Sequence, residues 1–289
     1  MSSLTRREFI KSSVLAAAAF SLKPLAWAQG TGANRVIPIC VQLYSVREDC
    51  GKDFDAALAR VAKMGFTGVE FAGYHKYSGK AKELRQKLDD LNLKAAATHI
   101  GTGSFRGDAL KKTIEFHQTI GCKFLIVPGD GDFTNPEKSP ALAETFSRTA
   151  EVLKPLGMYC GYHNHTGEFK KSPEGKTYYD LFAERTTKDV VLQQDCGWTV
   201  AAGLDPVDLM KRYPGRMKST HFKPTVLSKD KGTKKAILGQ DSVDWPAVIT
   251  ACRAIGGTEW FTVEQETYPD GKSPMECTEL SLAGLKKLL

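Results

Sequence analysis

Residues 122–165 read CKFLIVPGDGDFTNPEKSPALAETFSRTAEVLKPLGMYCGYHNH. The stretch holds a complete strand, helix and strand in succession. Residues 123–127 form a short apolar run with branched side chains at Ile126 and Val127, the pattern of a strand buried on both faces. Residues 140–156 are amphipathic and open on Pro140, which suits a first helical turn, and Gly157 follows as a left-handed stop. Residues 158–164 then return to apolar, strand-like sequence. Two strands joined by a helix of this length pair in parallel.

The same unit extends in both directions without a break. Strands are expected at residues 37–43, 68–71, 94–99, 123–127, 158–164, 190–195, 217–223 and 260–264. Helices are expected at 54–64, 80–91, 107–120, 140–156, 178–185, 206–213, 245–255 and 274–288, several of them opened by Asp (Asp53, Asp205, Asp244) and closed by Gly (Gly65, Gly121, Gly256). Eight consecutive βα units predict an α/β fold of the (β/α)8 TIM-barrel type, in one domain over residues 36–289. A doubly wound sheet would want a glycine-rich loop after its first strand, and Gln42-Leu43-Tyr44-Ser45-Val46-Arg47 offers none.

Residues 1–28 read differently. Arg6, Arg7 and Lys11 precede an Ala/Leu-rich stretch too short to span a bilayer, and Ala26-Trp27-Ala28 resembles a cleavage site. Thr5-Arg6-Arg7-Glu8-Phe9-Ile10-Lys11 also resembles a twin-arginine signal, so export to the periplasm or beyond is expected, with no stable membrane anchor after cleavage. Cleavage would remove four cations and one acid, lowering the net charge from +7 to +4. The remaining basic residues form no stripe interleaved with aromatics, which argues against a nucleic-acid partner. Seven cysteines show no C-x-x-C pair or zinc-finger spacing, and several lie in apolar runs where a thiol acts as a small core residue.

In a TIM barrel, functional side chains gather at the C-terminal ends of the strands. Here those ends carry Glu70, His99, His163-Asn164-His165, Asp195, His221 with Lys223, and Glu264-Gln265-Glu266. Imidazoles mixed with carboxylates suit one divalent transition metal rather than an oxygen-only magnesium or calcium site. Strand alternation puts His163 and His165 on one face and Asn164 on the other, so either histidine is a candidate ligand. Glu264 is nearer the barrel end than Glu266 and is the better ligand candidate. Lys223 would share the face of His221 and could place an ammonium beside an oxygen that gains charge during enolisation. Trp198 could stack on a sugar ring, and Gln42 and Arg47 could bind hydroxyl or carboxylate groups.

Gln42 to Arg47, Gly68-Val69-Glu70, Tyr162 to His165 with Glu168-Phe169, Asp195, His221 to Lys223 and Val263-Glu264-Gln265 together resemble the sugar phosphate isomerase/epimerase family, the xylose isomerase-like TIM barrels. The resemblance covers nearly all of the chain beyond the N-terminal segment. It implies one divalent metal, such as manganese, zinc, cobalt or magnesium, held by a Glu, an Asp, a His and a second Glu from strands five to eight. Asp195, His221 and Glu264 match three of these positions; strand five offers His163 or His165 instead of Glu, with His163 preferred. The implied activity is proton transfer on a carbonyl-bearing sugar, an isomerase or epimerase or a lyase of inosose-dehydratase type. Glu264, His165 and Lys223 would do the chemistry. Gln42, Arg47, Glu70, His99, Asn164, Glu168 and Trp198 would contact a small carbohydrate, and relatives acting on 3-keto-glycosides make such a sugar a candidate. Two other classes compete: DNA cleavage needs a larger set of histidines and acids than is present, and a non-catalytic sugar-binding barrel would hold no metal.

Overall fold

The computed structural model describes residues 36–289; the export signal expected at 1–28 lies outside them. The eight strands are β1 (Ile39–Gln42), β2 (Gly68–Phe71), β3 (Lys94–His99), β4 (Phe124–Val127), β5 (Tyr159–His163), β6 (Val191–Gln193), β7 (Ser219–Phe222) and β8 (Trp260–Val263). All pair in parallel, in the order β6-β5-β4-β3-β2-β1-β8-β7. The two ends of that order meet through a parallel bridge between Asp195 and His221 and through single backbone bonds, Leu192 N–H to Arg216 C=O at 2.9 Å and His221 N–H to Gln194 C=O at 2.8 Å. The barrel is therefore nearly closed, and its thinnest seam runs between β6 and β7.

Alternation along each strand sorts the side chains into two environments. Outward residues such as Val41, Phe71, Leu125, Cys160, Leu192, Phe222 and Val263 join one continuous apolar layer under the helices. Inward residues Ala97, Phe124, Ile126 and Val191 form a small separate cluster, with Tyr159 and Trp260 packed against it, that plugs the N-terminal end of the barrel. Toward the C-terminal end the inward positions turn polar, at Gln42, Glu70, His163, Gln193, Ser219, His221 and Thr262, every one of them buried. Buried polar groups persist only when they bond to one another, so this end of the barrel is committed to a connected network.

The helices follow the expected pattern, with local exceptions. Phe54–Met64 is capped by the Asp53 carboxylate and stopped by Gly65 at φ 94°, a left-handed turn that favours glycine. The helix expected at 140–156 is regular over Ser139–Leu153 and tightens to a 3-10 turn at Lys154–Leu156, because Pro155 has no N–H to continue it. The helix expected at 245–255 is regular over Trp245–Ala251 and widens to a π turn at Cys252–Gly256. Two short helices, Arg47–Lys52 and Cys196–Ala201, occupy loops in which none was expected. All seven cysteines are buried and unpaired.

Candidate metal centre

The site is assembled where β5 to β8 end. His163 is the last residue of β5, Asp195 lies two residues past β6, His221 is inside β7, and Glu264 immediately follows β8. One ligand-type atom from each of these four buried side chains lies within 4.8 Å of the other three. His163 Nε2 is 3.9 Å from Asp195 Oδ2, and His221 Nδ1 is 2.9 Å from Glu264 Oε2. Of the two strand-five histidines it is His163 that joins the cluster. His165, past the strand end, stands at the mouth with its ring 5.0 Å from that of His163 and 5.6 Å from Trp198.

Asp195 carries the observation that points to a cation. Its Oδ1 caps the helix Cys196–Ala201 by accepting the Trp198 N–H at 2.8 Å, while its Oδ2 is buried with no hydrogen-bond partner among the described residues. Burial pushes its carboxyl up to about 7, the nearby Glu264 adding to the effect and Lys223 opposing it. A buried carboxylate oxygen without a donor is costly unless a cation faces it. The donor set, two imidazoles and two carboxylates, fits zinc, manganese or cobalt better than an oxygen-only cage does. The residues present therefore fit a divalent metal.

A second ring of contacts lies beneath the cluster. Glu70, fully buried, accepts from Gln42 Nε2 at 2.6 Å and from Gln193 Nε2 at 2.6 Å, and its Oε1 lies 2.6 Å from His221 Nε2. Burial opposes a charge on Glu70, yet the His221 and His99 rings beside it hold its carboxyl well below the usual range. Burial likewise opposes protonation of His221, but Glu70 and Glu264 on either side raise it to about 10. The two carboxylates therefore favour the protonated form of His221 wherever no cation faces them. With Nε2–H donated to Glu70, Nδ1 is the nitrogen turned toward Glu264 and the cluster, the arrangement by which an outer carboxylate fixes the tautomer of a ligating histidine.

The remaining candidates fall into three places. Gln42 and His99 join the network around Glu70: Gln42 Nε2 is 3.2 Å from His99 Nδ1, and His99 Nε2 is 2.8 Å from Gln193 Oε1. Asn164 is enclosed behind the strand ends, its Oδ1 accepting the Asp195 N–H at 3.1 Å, and Glu168 accepts the His165 N–H at 2.9 Å. Lys223, Trp198 and Arg47 lie at the mouth. Lys223 pairs with Glu266 and places its ammonium 4.2 Å from the Trp198 ring centre, and Arg47 reaches Tyr268 Oη at 3.3 Å on the rim. Gly197 makes this packing possible, since a Cβ there would run into the Lys223 carbonyl and the Thr225 hydroxyl. Sequence reasoning ranked Glu266 behind Glu264 as a ligand, and the structure turns it to Lys223 instead; it missed Gln193 altogether. Gln193 shares its strand face with Asp195, and that two-residue spacing was the available signal.

Comparison with known proteins agrees with this architecture. The chain is 26% identical over 266 residues to an inosose dehydratase of Clostridium botulinum (strain Alaska E43 / Type E3), covering 79% of this chain and 88% of that one. It is 23% identical over 273 residues to an inosose dehydratase of Geobacillus kaustophilus, covering 81% and 87%. Among solved structures, a sugar phosphate isomerase/epimerase from Parabacteroides distasonis superimposes with a TM-score of 0.73 at 26% identity, over 90% of this chain and 97% of that one. The model of one family matches residues 58–288 and so takes in all the strand ends that build the centre except that of β1; by this match the chain belongs to the xylose isomerase-like TIM barrel family.

Proposed function

We propose that this protein is a metal-dependent enzyme that enolises a carbonyl-bearing sugar, the step shared by sugar isomerases and epimerases. The observation that carries the reading is the convergence of His163, Asp195, His221 and Glu264 around the unpartnered Asp195 Oδ2. A divalent ion held there, whether manganese, zinc, cobalt or magnesium, would supply Lewis-acid polarisation of a sugar carbonyl and its neighbouring hydroxyl.

The chain's own groups supply the proton traffic. Glu264 is a poor base, because His221 and Lys223 overcome the effect of burial and hold its carboxyl down to about 2. His165 is better placed: it is half-buried at the mouth, its ring nitrogens make no hydrogen bond among the described residues, and burial keeps it neutral near pH 7. In this reading His165 takes the proton from the carbon next to the carbonyl; that C–H electron pair becomes the new C=C bond, and the carbonyl π pair moves to oxygen. The Lys223 ammonium lies close enough to Glu264 and Asp195 for their charges to outweigh its burial and raise its pKa, so it remains cationic and can stabilise the oxyanion. Export of the folded, loaded protein belongs to the same proposal and is tested by fractionating cells that make the full chain.

A second outcome of the same step, loss of a β-hydroxyl as water, is favoured by two observations. His163 stands where a second carboxylate base would serve epimerisation, and the relatives from Clostridium botulinum and Geobacillus kaustophilus described above are inosose dehydratases. The test is NMR in deuterated water with keto-sugars, 3-keto-glycosides and inosose, beside metal analysis. About one metal ion per chain and deuterium uptake next to the carbonyl are expected, with both lost in Asp195→Ala. A protein that binds sugar without metal and catalyses no exchange would overturn the enzyme reading and identify a binding barrel.

A further inference from the structure

A cavity of about 610 Å³ adjoins the centre, and none of the four cluster residues lines it. Trp198, Lys223 and Glu266 line its near side: the Trp198 N–H donates to Asp195, and the Lys223 ammonium lies beside Asp195 and Glu264. Apart from Ala201, which ends the short helix after β6, the rest of the lining comes from the β7 and β8 loops, and it is basic: Lys223, Lys231, Lys234 and Lys235 face only two lining carboxylates, Glu266 and Asp270. Three of these lysines have carboxylate partners: Lys223 pairs with Glu266, Lys234 with Asp230 at 3.3 Å and Lys235 with Asp270 at 2.6 Å. Lys231 forms no ion pair among the described residues and is exposed.

The lysine loop is braced. Asp230 accepts from Ser242 Oγ at 2.6 Å, Ser242 Oγ in turn accepts the Leu227 N–H at 3.0 Å, and the Lys235 N–H bonds to the Gln240 carbonyl at 3.0 Å. The Gln265 amide, one residue past Glu264, donates to the Ala236 carbonyl at 2.6 Å and so ties the end of this loop to the end of β8. The positive wall is therefore fixed in place relative to the cluster.

From this arrangement we infer that the cavity is a second subsite, which takes the far end of a substrate larger than one sugar ring, and that this far end carries a carboxylate or phosphate. The inference rests on the reading that the reacting sugar sits at the metal cluster. Its size lies within the roughly 300–1,000 Å³ typical of small-molecule sites, enough for a group in addition to the ring held at the cluster. The excess of lysines selects an anion over a neutral sugar or an apolar group, and Lys231 is the cation left to meet it.

Calorimetric titration of the manganese-loaded protein with three probes tests this: phenyl β-glucoside, 4-carboxyphenyl β-glucoside and its 4-phosphate counterpart. At low salt an anionic probe binds about fivefold or more tightly than the neutral one, the size expected of one or two partly exposed ion pairs. The advantage disappears in 0.5 M sodium chloride and in the double variant Lys231→Ser, Lys234→Ser, whose manganese content and melting temperature report an intact barrel. The tighter of the two anionic probes identifies the group. Equal affinity of neutral and anionic probes, an advantage that survives the double variant, or no binding of either anionic probe at millimolar concentration would overturn the subsite. Deuterium exchange on simple keto-sugars reads the metal-centred reaction separately, so failure of one proposal is distinguishable from failure of the other.

Discussion

The two halves of the barrel place polar groups at equivalent strand ends and use them differently. β5 to β8 supply His163, Asp195, His221 and Glu264, the side chains that converge on one point. β1 to β3 supply Gln42, Glu70 and His99, none of which belongs to that group of four; they bond to one another, to Gln193 and to His221 from below. Position at a strand end thus makes a residue available to the site, and the length and direction of the side chain decide whether it could hold an ion or would brace a residue that could; His99, which with His163 and His221 forms a second group able to hold a metal, stands on the boundary.

The comparison breaks most completely if a direct donor is removed. Asp195→Ala should abolish stoichiometric metal binding and reduce deuterium exchange to background, measured by metal analysis and NMR on the same sample. His165→Ala sharpens the contrast between chemistry and binding. It should keep the metal and lose about 10²- to 10⁴-fold in exchange rate, the usual worth of a general base. The corresponding His163→Ala should instead lose metal.

Removing a supporting group should cost less. Glu70→Gln keeps the shape but not the charge, and about 10- to 100-fold weaker metal affinity in a chelator competition is expected from loss of an outer carboxylate. An unchanged affinity would mean that the half of the barrel formed by β1 to β4 contributes only packing.

A smaller, pH-dependent difference follows from the charges. In the metal-free protein His221 is raised to about 10, so its stabilising contribution is complete below pH 6.5 and is lost as pH rises through about 10. Asp195, raised to about 7 by burial, makes the metal-free fold lose stability as pH rises from its ordinary carboxylate range to 7. Metal binding needs Asp195 ionised and His221 unprotonated at its ligating nitrogen, so it strengthens with pH. The gap in melting temperature between loaded and metal-free protein should therefore widen from pH 6 to pH 8. The smallest effect is expected at Arg47→Ala on the rim, within about 0.5 kcal/mol of wild-type stability in urea.

The fold was legible because strand and helix periods alternate strongly and because caps such as Asp53 and stops such as Gly65 mark the boundaries. The helices at Gly107–Ile120, Tyr178–Arg185 and Pro274–Leu288 coincide with their expected spans. Cys196–Ala201 was not legible, since six residues carry no period; its formation depends on the Asp195 cap and on the close approach allowed by Gly197. In the site, alternation put His163 and His165 on one face but could not show that β5 ends at the first of them. The Glu70 network was illegible for a different reason: hydrogen bonds that join β2, β6 and β7 depend on barrel closure, which no local pattern encodes.

The seam between β6 and β7 has a consequence of its own. Asp195 and His221, two of the four donors, face each other across it, so an ion bound to both would act as a rivet at the barrel's thinnest join. Next to Asp195 lies Cys196, one of seven shielded sulfhydryls that a modifying reagent can reach only when the surrounding structure opens. The chain thereby contains its own opening gauge: the rate at which Cys196 is alkylated with and without added metal, compared with Cys160 in the neighbouring β5, would report how firmly an ion at this site holds the barrel shut.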